Sequence, residues 1–519
     1  MELSEAMVTE ASDAASNGSA ARHLRMANVA AMLGVVSLFV LLLSNRNVVD
    51  HDMYHGMALF RAALEQGSVP NRDLFAYTPT VYPSVHHEWG TGMIWYGVSM
   101  SLGAGGVMAL KYLLSFAVIG VCIGCAVRRQ ASWPILCVLA PLGIMLACVG
   151  FATIRAQIFT MLFTATLLVM LDHDRAGGRW WVLGWLVVQV IWVNLHAGFV
   201  VGLGILGFYW LEQVIRQRRA QWHLIGGGLA MLGLILVNPY GIDYVRYLWH
   251  GLTMPRPQIS EWRPLWSEPL LLAVYVVSVL LVIYAIYHVG LRQMPGLVIV
   301  LLCAYASLRH VRHTSLYAVA WLCYVPAWLS RTPFGDMISE IWTRRSRQMA
   351  AIGVILAFVC LGIALSRKPW ELRIPTAFSD SKTWLRELVY PVGAVEYLRE
   401  QRFQGNLMTP FNTSSFVSWQ LHPAIKIGLD SRYEAAYQPG VMEEISAFYG
   451  AASGWDVTLR KYPTDLVLAP IAAPIVKLMA EQTHWERIYR DDAYAMFARP
   501  GLALPATDRA GQVLIGRFP

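Results

Sequence analysis

The sequence predicts an α-helical polytopic membrane protein that ends in an extracytoplasmic α/β domain. Three observations predict it. Only 14% of the 519 residues are charged, where soluble globular chains carry about 25%. Uncharged apolar stretches recur from residue 26 to residue 366, many long enough to cross ~30 Å of hydrocarbon as a helix. Beyond Ser366 the hydropathy falls, and short apolar strands alternate with amphipathic stretches. This composition excludes a soluble enzyme and a disordered chain. The net charge of +8 is accounted for by basic cytoplasmic loops. No basic run is interleaved with aromatics, so no nucleic-acid partner is expected.

The elements follow in order. Residues 1–25 read as a disordered cytoplasmic tail, Ala/Ser/Glu-rich up to residue 20. Arg22 and Arg25 precede a first span over Met26–Asn45, a retained signal-anchor. Further spans are expected over 106–127, 132–149, 156–171, 180–194, 197–212, 222–237, 269–287, 294–308, 314–330 and 349–366, about eleven in all. His87–Leu102 is apolar but broken by Gly and Ser. Laid along the outer surface, it leaves Arg128, Arg129, Arg175, Arg179, Arg216, Arg218, Arg219, Arg292, Arg331, Arg344, Arg345 and Arg347 in cytoplasmic loops, as the positive-inside rule asks. The first external loop is then 46–105, with interfacial helices. Residues 180–212 split near Asn194-Leu195-His196, because one helix would run about 48 Å.

The odd span count places residues 367–519 outside. Asn406–Thr409, Ile425–Leu429, Asp465–Ala469, Trp485–Tyr489 and Ala493–Ala498 read as strands, and Val392–Glu400 and Ile471–Gln482 as helices. All 7 Cys lie at or before Cys360, so this domain has no disulfide and relies on a core. Cys122 and Cys125 have redox spacing but sit in an apolar span, which fits packing.

With that sidedness, the polar residues near the membrane gather on one face. They are Asp50, His51, Asp52, His55, Asp73, His86, His87, Glu88, Arg155, Asn194, His196, Tyr240, Glu261, Arg309, His310, Arg312 and His313. Ionisable groups at a membrane suggest function by default. A carboxylate there can take a proton from a sugar hydroxyl, and Arg can grip phosphate in two places. Asp50 and Asp52 are the candidate bases. Asp50 also suits the N-cap of a helix over 53–66. Arg155, Arg309 and Arg312, with His310 and His313, are candidates for a donor phosphate. Arg309 and Arg312 also read as interfacial anchors. His55, His86, His87, Glu88, Asn194, His196, Tyr240 and Glu261 are candidates for a substrate pocket. A divalent cation, Mg or Mn, on Asp50, Asp52, His87 and Glu88 stays open, though the spacing matches no closed zinc site. Asp172-His173-Asp174 repeats the Asp-x-Asp pattern on the cytoplasmic side and reads as a solvated loop. Asp430, Arg432 and Tyr433 follow an apolar strand but suit a salt bridge and a core aromatic equally well.

The order of these motifs brings a family into view. A span is followed by Asp-x-Asp, then "GSVPNRDLFAYT", "HHEWG", Arg-x-Gln, "WVNLHAGF", "NPYG" and "ISEW". This resembles the GT-C superfamily of polytopic glycosyltransferases. It is most similar to a bacterial branch near the dolichyl-phosphate-mannose-type and aminoarabinose-type transferases. "AVEYLRE" and "IGLDSRYEAAY" are similar to the extracytoplasmic domain of that branch. The resemblance implies a GT-C-like fold in the bacterial inner membrane. It implies a polyprenyl-phosphate-linked sugar as donor, and a glycan, lipid or protein as acceptor. Asp50 and Asp52 take the place of the family's acidic residue at the start of the first loop, acting on the acceptor or binding a metal. Arg155-Ala156-Gln157 stands where relatives carry Arg-Pro-Gln, which keeps the Arg and loses the Pro. Two other classes remain open: a transporter or flippase of a lipid-linked glycan, and a non-catalytic glycan-binding membrane protein.

Overall fold

The structure, a computed structural model, describes residues 2–519 apart from 46, 152, 255, 257–258, 381, 383–386 and 482–483. Among the described residues, fourteen α-helices precede the C-terminal domain. They are α1 (Glu2–Ser44), α2 (His51–Gln66), α3 (Trp89–Arg128), α4 (Trp133–Phe151), α5 (Gln157–Arg175), α6 (Trp181–Leu195) and α7 (Phe199–Gln217). Then come α8 (Trp222–Gly233), α9 (Ile242–Thr253), α10 (Pro269–Val289), α11 (Leu297–Arg309), α12 (Thr314–Leu329), α13 (Pro333–Arg344) and α14 (Ser346–Ser366).

Six of the described helices are long and apolar enough to span a membrane: α1 from Ala21, α3, α4, α7, α10 and α14. This corrects the expected eleven and removes the odd count that placed residues 367–519 outside; the reason is length and charge. Helix α6 has 15 residues and α11 has 13, giving about 20–23 Å at 1.5 Å per residue against ~30 Å of hydrocarbon. Helix α5 ends in Asp172-His173-Asp174-Arg175. The tail expected to be disordered is helical and continuous with the first apolar stretch. Its Ala and Glu are good helix formers.

Two expected breaks are present. Helix α3 is interrupted at Gly103, whose φ of 61° and ψ of −157° suit a residue without Cβ. That separates 89–102 from 104–128. Helices α6 and α7 part at His196, which is extended. Helices α2 and α3 cross with their backbones in contact. A Cβ on Gly92 would stand 2.3 Å from the Gly56 carbonyl oxygen, so only glycine permits this approach.

The C-terminal domain runs α15 (Val392–Glu400), β1 (Gly405–Met408), α16 (Ser414–Leu421), β2 (Ile425–Ile427), α17 (Tyr433–Ala436) and α18 (Val441–Tyr449). It continues with α19 (Asp456–Lys461), β3 (Leu466–Pro470), α20 (Pro474–Glu481), β4 (Glu486–Arg490), β5 (Tyr494–Ala498) and β6 (Thr507–Asp508). The strand order is β2-β1-β3-β5-β4-β6. Strands β2, β1 and β3 are parallel, β5 is antiparallel to β3 and β4, and β6 is parallel to β4. The expected strands occur within about two residues, and β6 is an addition. Position 482 of the expected second helix lies outside the described residues.

Side chains alternate across the sheet. Leu407, Leu466, Leu468, Met496 and Ala498 join the core that continues into the helical bundle. Met408, Val467, Ala469, Ala495 and Phe497 form a second core with Leu429, Ile445 and Phe448. The long loop after α2 pairs with the edge strand β2. Ile427 N donates to Phe75 O at 2.9 Å, Tyr77 N to Ile427 O at 3.1 Å, and Thr78 Oγ1 to Gly428 O at 2.5 Å. At the other approach, Arg373 N donates to Asn47 O at 2.7 Å. The domain is thus stitched to the same end of the bundle that carries the N-terminus of α2.

Candidate functional site

Helix α2 starts at Asp50, which caps it: the Asp52 amide donates to Asp50 Oδ1 at 3.0 Å. Such a cap satisfies an amide that the helix itself cannot. The other carboxylate oxygen accepts from Arg155 Nε at 2.7 Å. Arg155 lies in the short connection between α4 and α5. Its guanidinium also reaches Asp52 Oδ2 at 3.7 Å and bonds Glu261 in the loop after α9. Three segments far apart in sequence are thereby tied to one cation.

The charges are unequal. Burial would raise the Asp50 carboxyl, but Arg155, His51 and the Asp52 amide outweigh it and hold it at about 2. Burial, with the charges of Asp50 and Glu88 behind it, pushes Asp52 above the ordinary carboxylate value against His51 and Arg155. Asp50 is therefore a fixed anion, and Asp52 is the better proton acceptor.

Glu88, immediately before α3, anchors a second group. His87 Nε2 and His196 Nε2 each stand 3.4 Å from Glu88 Oε1. His196 is oriented by Thr160 Oγ1 at 2.7 Å and the Gly198 amide at 3.0 Å. His87 bonds the Tyr247 hydroxyl at 2.8 Å and stacks on its ring. Burial is opposed by His87, His196 and Arg312, which hold Glu88 at about 2. Burial lowers His196 to about 4 although Glu88 resists. Glu88 acts electrostatically on Asp52 and Arg155 as well, so the two groups form one network.

The remaining candidates divide. Arg312 stands over the Trp262 ring at 4.7 Å, and His310 and His313 flank the same ring. Its backbone carbonyl accepts from Gln157 at 3.0 Å. Arg309, at the end of α11, is exposed, and among the described residues no ion pair joins it to the network, which suits the anchor reading. Asn194 is structural: it accepts from Trp89 Nε1 at 3.0 Å and donates to Val190 and Val237 carbonyls. Tyr240 follows a turn in which Asn238 Oδ1 accepts from the amides of Tyr240 and Gly241. His86 is buried with neither ring nitrogen hydrogen-bonded among the described residues, and it neighbours His55 and Tyr240. Burial, then Arg432, lowers His86 to about 3.

For a metal, the donor atoms of Asp50, His51 and Asp52 lie within 4.8 Å of one another. His87 and Glu88 stand in the other group. Arg155 already neutralises Asp50 and approaches Asp52, and a dication beside that guanidinium meets strong repulsion. These residues fit a cation poorly.

Three sets of pairings were not anticipated. His51, between the two aspartates, bridges them at 3.6 and 3.4 Å. Arg432 is buried and pairs with both Asp430 and Asp73, joining the C-terminal domain to the loop after α2. Asp172 and Asp174 are not a solvated loop. Asp172 binds Arg129 and Arg175, and Asp174 accepts from His223, Trp181 and Tyr209. Short neighbouring helix ends crowd these groups together and remove them from water. Cys122 and Cys125 are buried in α3.

No protein-family model matches the chain, and no curated protein matches it.

Proposed function

We propose that the protein is a GT-C-type inverting glycosyltransferase of a bacterial inner membrane, with its site and C-terminal domain on the extracytoplasmic side. It moves a sugar from a polyprenyl-phosphate-linked donor to a hydroxyl of a glycan, lipid or protein. One observation carries the reading: Asp50, Asp52, Glu88, Arg155, His196, Glu261 and Arg312 come from separate segments into one ionic network. The ordered motifs add the resemblance. In the reaction, Asp52 takes the proton of the acceptor hydroxyl. The acceptor oxygen bonds to the anomeric carbon as the bond from that carbon to the phosphate oxygen breaks. Asp50, fixed by its cap and Arg155, positions Asp52. Arg312, aided by His310 and His313, meets the phosphate. His55, His86, His87, Glu88, His196, Tyr240 and Glu261 wall the sugar.

The test is transfer by the full chain in nanodiscs, with a polyprenyl-phosphate-linked sugar and a glycan acceptor. Asp52→Asn is expected to lose about a hundredfold or more. Full activity of an Asp50→Ala, Asp52→Ala double variant sinks the assignment.

A second reading, flipping of a lipid-linked glycan, gains from the ionic group at the far end of α5. Nineteen residues put it about 28 Å away. Each acid there is engaged by fixed partners, which favours a structural role. Headgroup translocation in liposomes, abolished by Asp172→Asn, decides for the flippase.

A further inference from the structure

The C-terminal domain carries an open cavity of about 480 Å³, formed where α15 ends and α16 turns into β2. Arg399, Arg402, Gln404, Gln420 and His422 supply its polar wall, and Phe403 lies in its apolar part. Arg399 and Arg402 are exposed, and among the described residues neither has a carboxylate partner. Arg399 bonds only the neutral Gln420 amide oxygen, at 2.8 Å. His422 stands in the same wall, its Nδ1 buried and without a hydrogen-bond partner among the described residues. Arg61 and Lys426 act on His422 as positive charges, against Glu65 and Asp73.

Two uncompensated guanidinium groups ask for an anion, and they bind carboxylate or phosphate by paired hydrogen bonds. Two side-chain amides and an imidazole suit hydroxyl groups. An apolar patch between them suits the C–H face of a sugar ring. We propose that this cavity binds an acidic saccharide, with its carboxylate or phosphate on Arg399 and Arg402. Ring contacts lead from the cavity wall toward His55. The His422 ring lies 4.6 Å from Phe75, which packs edge-on to His55. Arg61, over the Trp419 ring, is nine residues along α2 from Asp52, or about 14 Å. The proposal stands on this lining and does not rest on glycosyl transfer.

The test is equilibrium dialysis of the full chain in nanodiscs. The probes are an oligogalacturonate, a glycerol-phosphate oligomer and a neutral malto-oligosaccharide. At least one acidic probe is expected to bind about tenfold tighter than the neutral one, more weakly as salt rises. The probe that binds identifies the anion. An Arg399→Ala, Arg402→Ala variant is expected to lose about tenfold or more, while Arg399→Lys, Arg402→Lys keeps part. Both side chains are exposed, so an unchanged thermal midpoint confirms folding. Asp52→Asn is expected to bind as the wild type does, which separates this site from transfer. Equal binding of acidic and neutral probes, no binding of either acidic probe, or undiminished binding by the alanine variant overturns the proposal.

Discussion

Replacing Arg432 with Met gives a sharp measure of how the C-terminal domain is held. Its side chain is 4% exposed, and its partners Asp73 and Asp430 are each 1% exposed. Arg432 donates to Asp430 at 2.6 and 2.9 Å and also bonds Asp73. Asp73 retains the amides of Phe75 and Ala76 at 3.0 and 2.6 Å. Burial works to raise the Asp73 carboxyl, and Arg432 is the largest influence keeping it below its ordinary 3.8. Without Arg432, Asp73 either stays charged in a dry site or takes a proton. Taking a proton at pH 7 costs about 4 kcal/mol, from 1.36 kcal/mol for each unit between 3.8 and the ambient pH. That bound agrees with the roughly 3–5 kcal/mol seen when one partner of a buried pair is removed. The sign follows from proton uptake. In the variant, the folded state holds the proton more tightly than the unfolded one, so stability is present at low pH and lost as pH rises. The penalty therefore shrinks to about 1.6 kcal/mol at pH 5. Protease release of the C-terminal domain in nanodiscs reports the open fraction when reclosing is fast. Relative to wild type at the same pH, release is expected to rise about a thousandfold at pH 7 and about fifteenfold at pH 5. A ratio near one at pH 7, or one that does not fall at pH 5, refutes the reasoning. Adding Asp73→Asn and Asp430→Asn is expected to restore much of the loss.

Gly92→Ala puts a Cβ 2.3 Å from the Gly56 carbonyl oxygen. It is expected to cost about 1–3 kcal/mol as a lower thermal midpoint. Gly97→Ala, with nothing within 4 Å, serves as control. Asp50, held at about 2 against an ordinary 3.8, contributes stability that is complete above 3.8 and lost as pH falls through 2. The wild-type thermal midpoint is expected to drop across that window, and Asp50→Asn to flatten the slope. In the transfer assay, Arg312→Ala is expected to raise KM for the lipid-phosphate donor about tenfold, with partial recovery in Arg312→Lys. The exposed Arg309→Ala is expected to leave KM unchanged.

Local rules made much of the architecture legible. Gly103 sits in a Gly/Ser-rich stretch, and such a stretch announces a break. Asn194-Leu195-His196 divides an apolar run too long for one crossing. The β-strands followed from short apolar runs bounded by turn residues. Span number did not follow, because hydropathy alone counts α6, α8 and α11 without asking how far their hydrogen-bonded length reaches. The gathering of Asp50, Arg155, Glu261, Glu88 and His196 was foreseen as a one-sided cluster, but not its pairing. Which carboxylate Arg155 would neutralise depends on the crossing of α2 and α3 and on the turn after α4. His51 belonged to the same cluster, but its bridge between the two acids had no signal of its own. Arg432 looked like a local salt bridge with Asp430. Its second partner, Asp73, is 359 positions away, and no periodicity reports contacts at that range. The paired state of Asp172 and Asp174 was hidden for the same reason, since His223, Tyr209 and Arg129 arrive from other helices.

The seam between the loop after α2 and strand β2 has a consequence for how the chain is made. Residues 73–80 leave the ribosome long before their partners in the C-terminal domain. At about 5–20 residues per second, the 359 positions between Asp73 and Arg432 correspond to roughly 20–70 s of synthesis. During that interval the loop lacks its strand partner, and Asp73 lacks its cation. The helices around them are already being inserted. The wall beside His55 and His86 is thus completed only by the last third of the chain. We expect a chain stopped after Ser366 to insert normally yet remain open to proteases at this loop. Early termination would then produce a form the cell can recognise and clear.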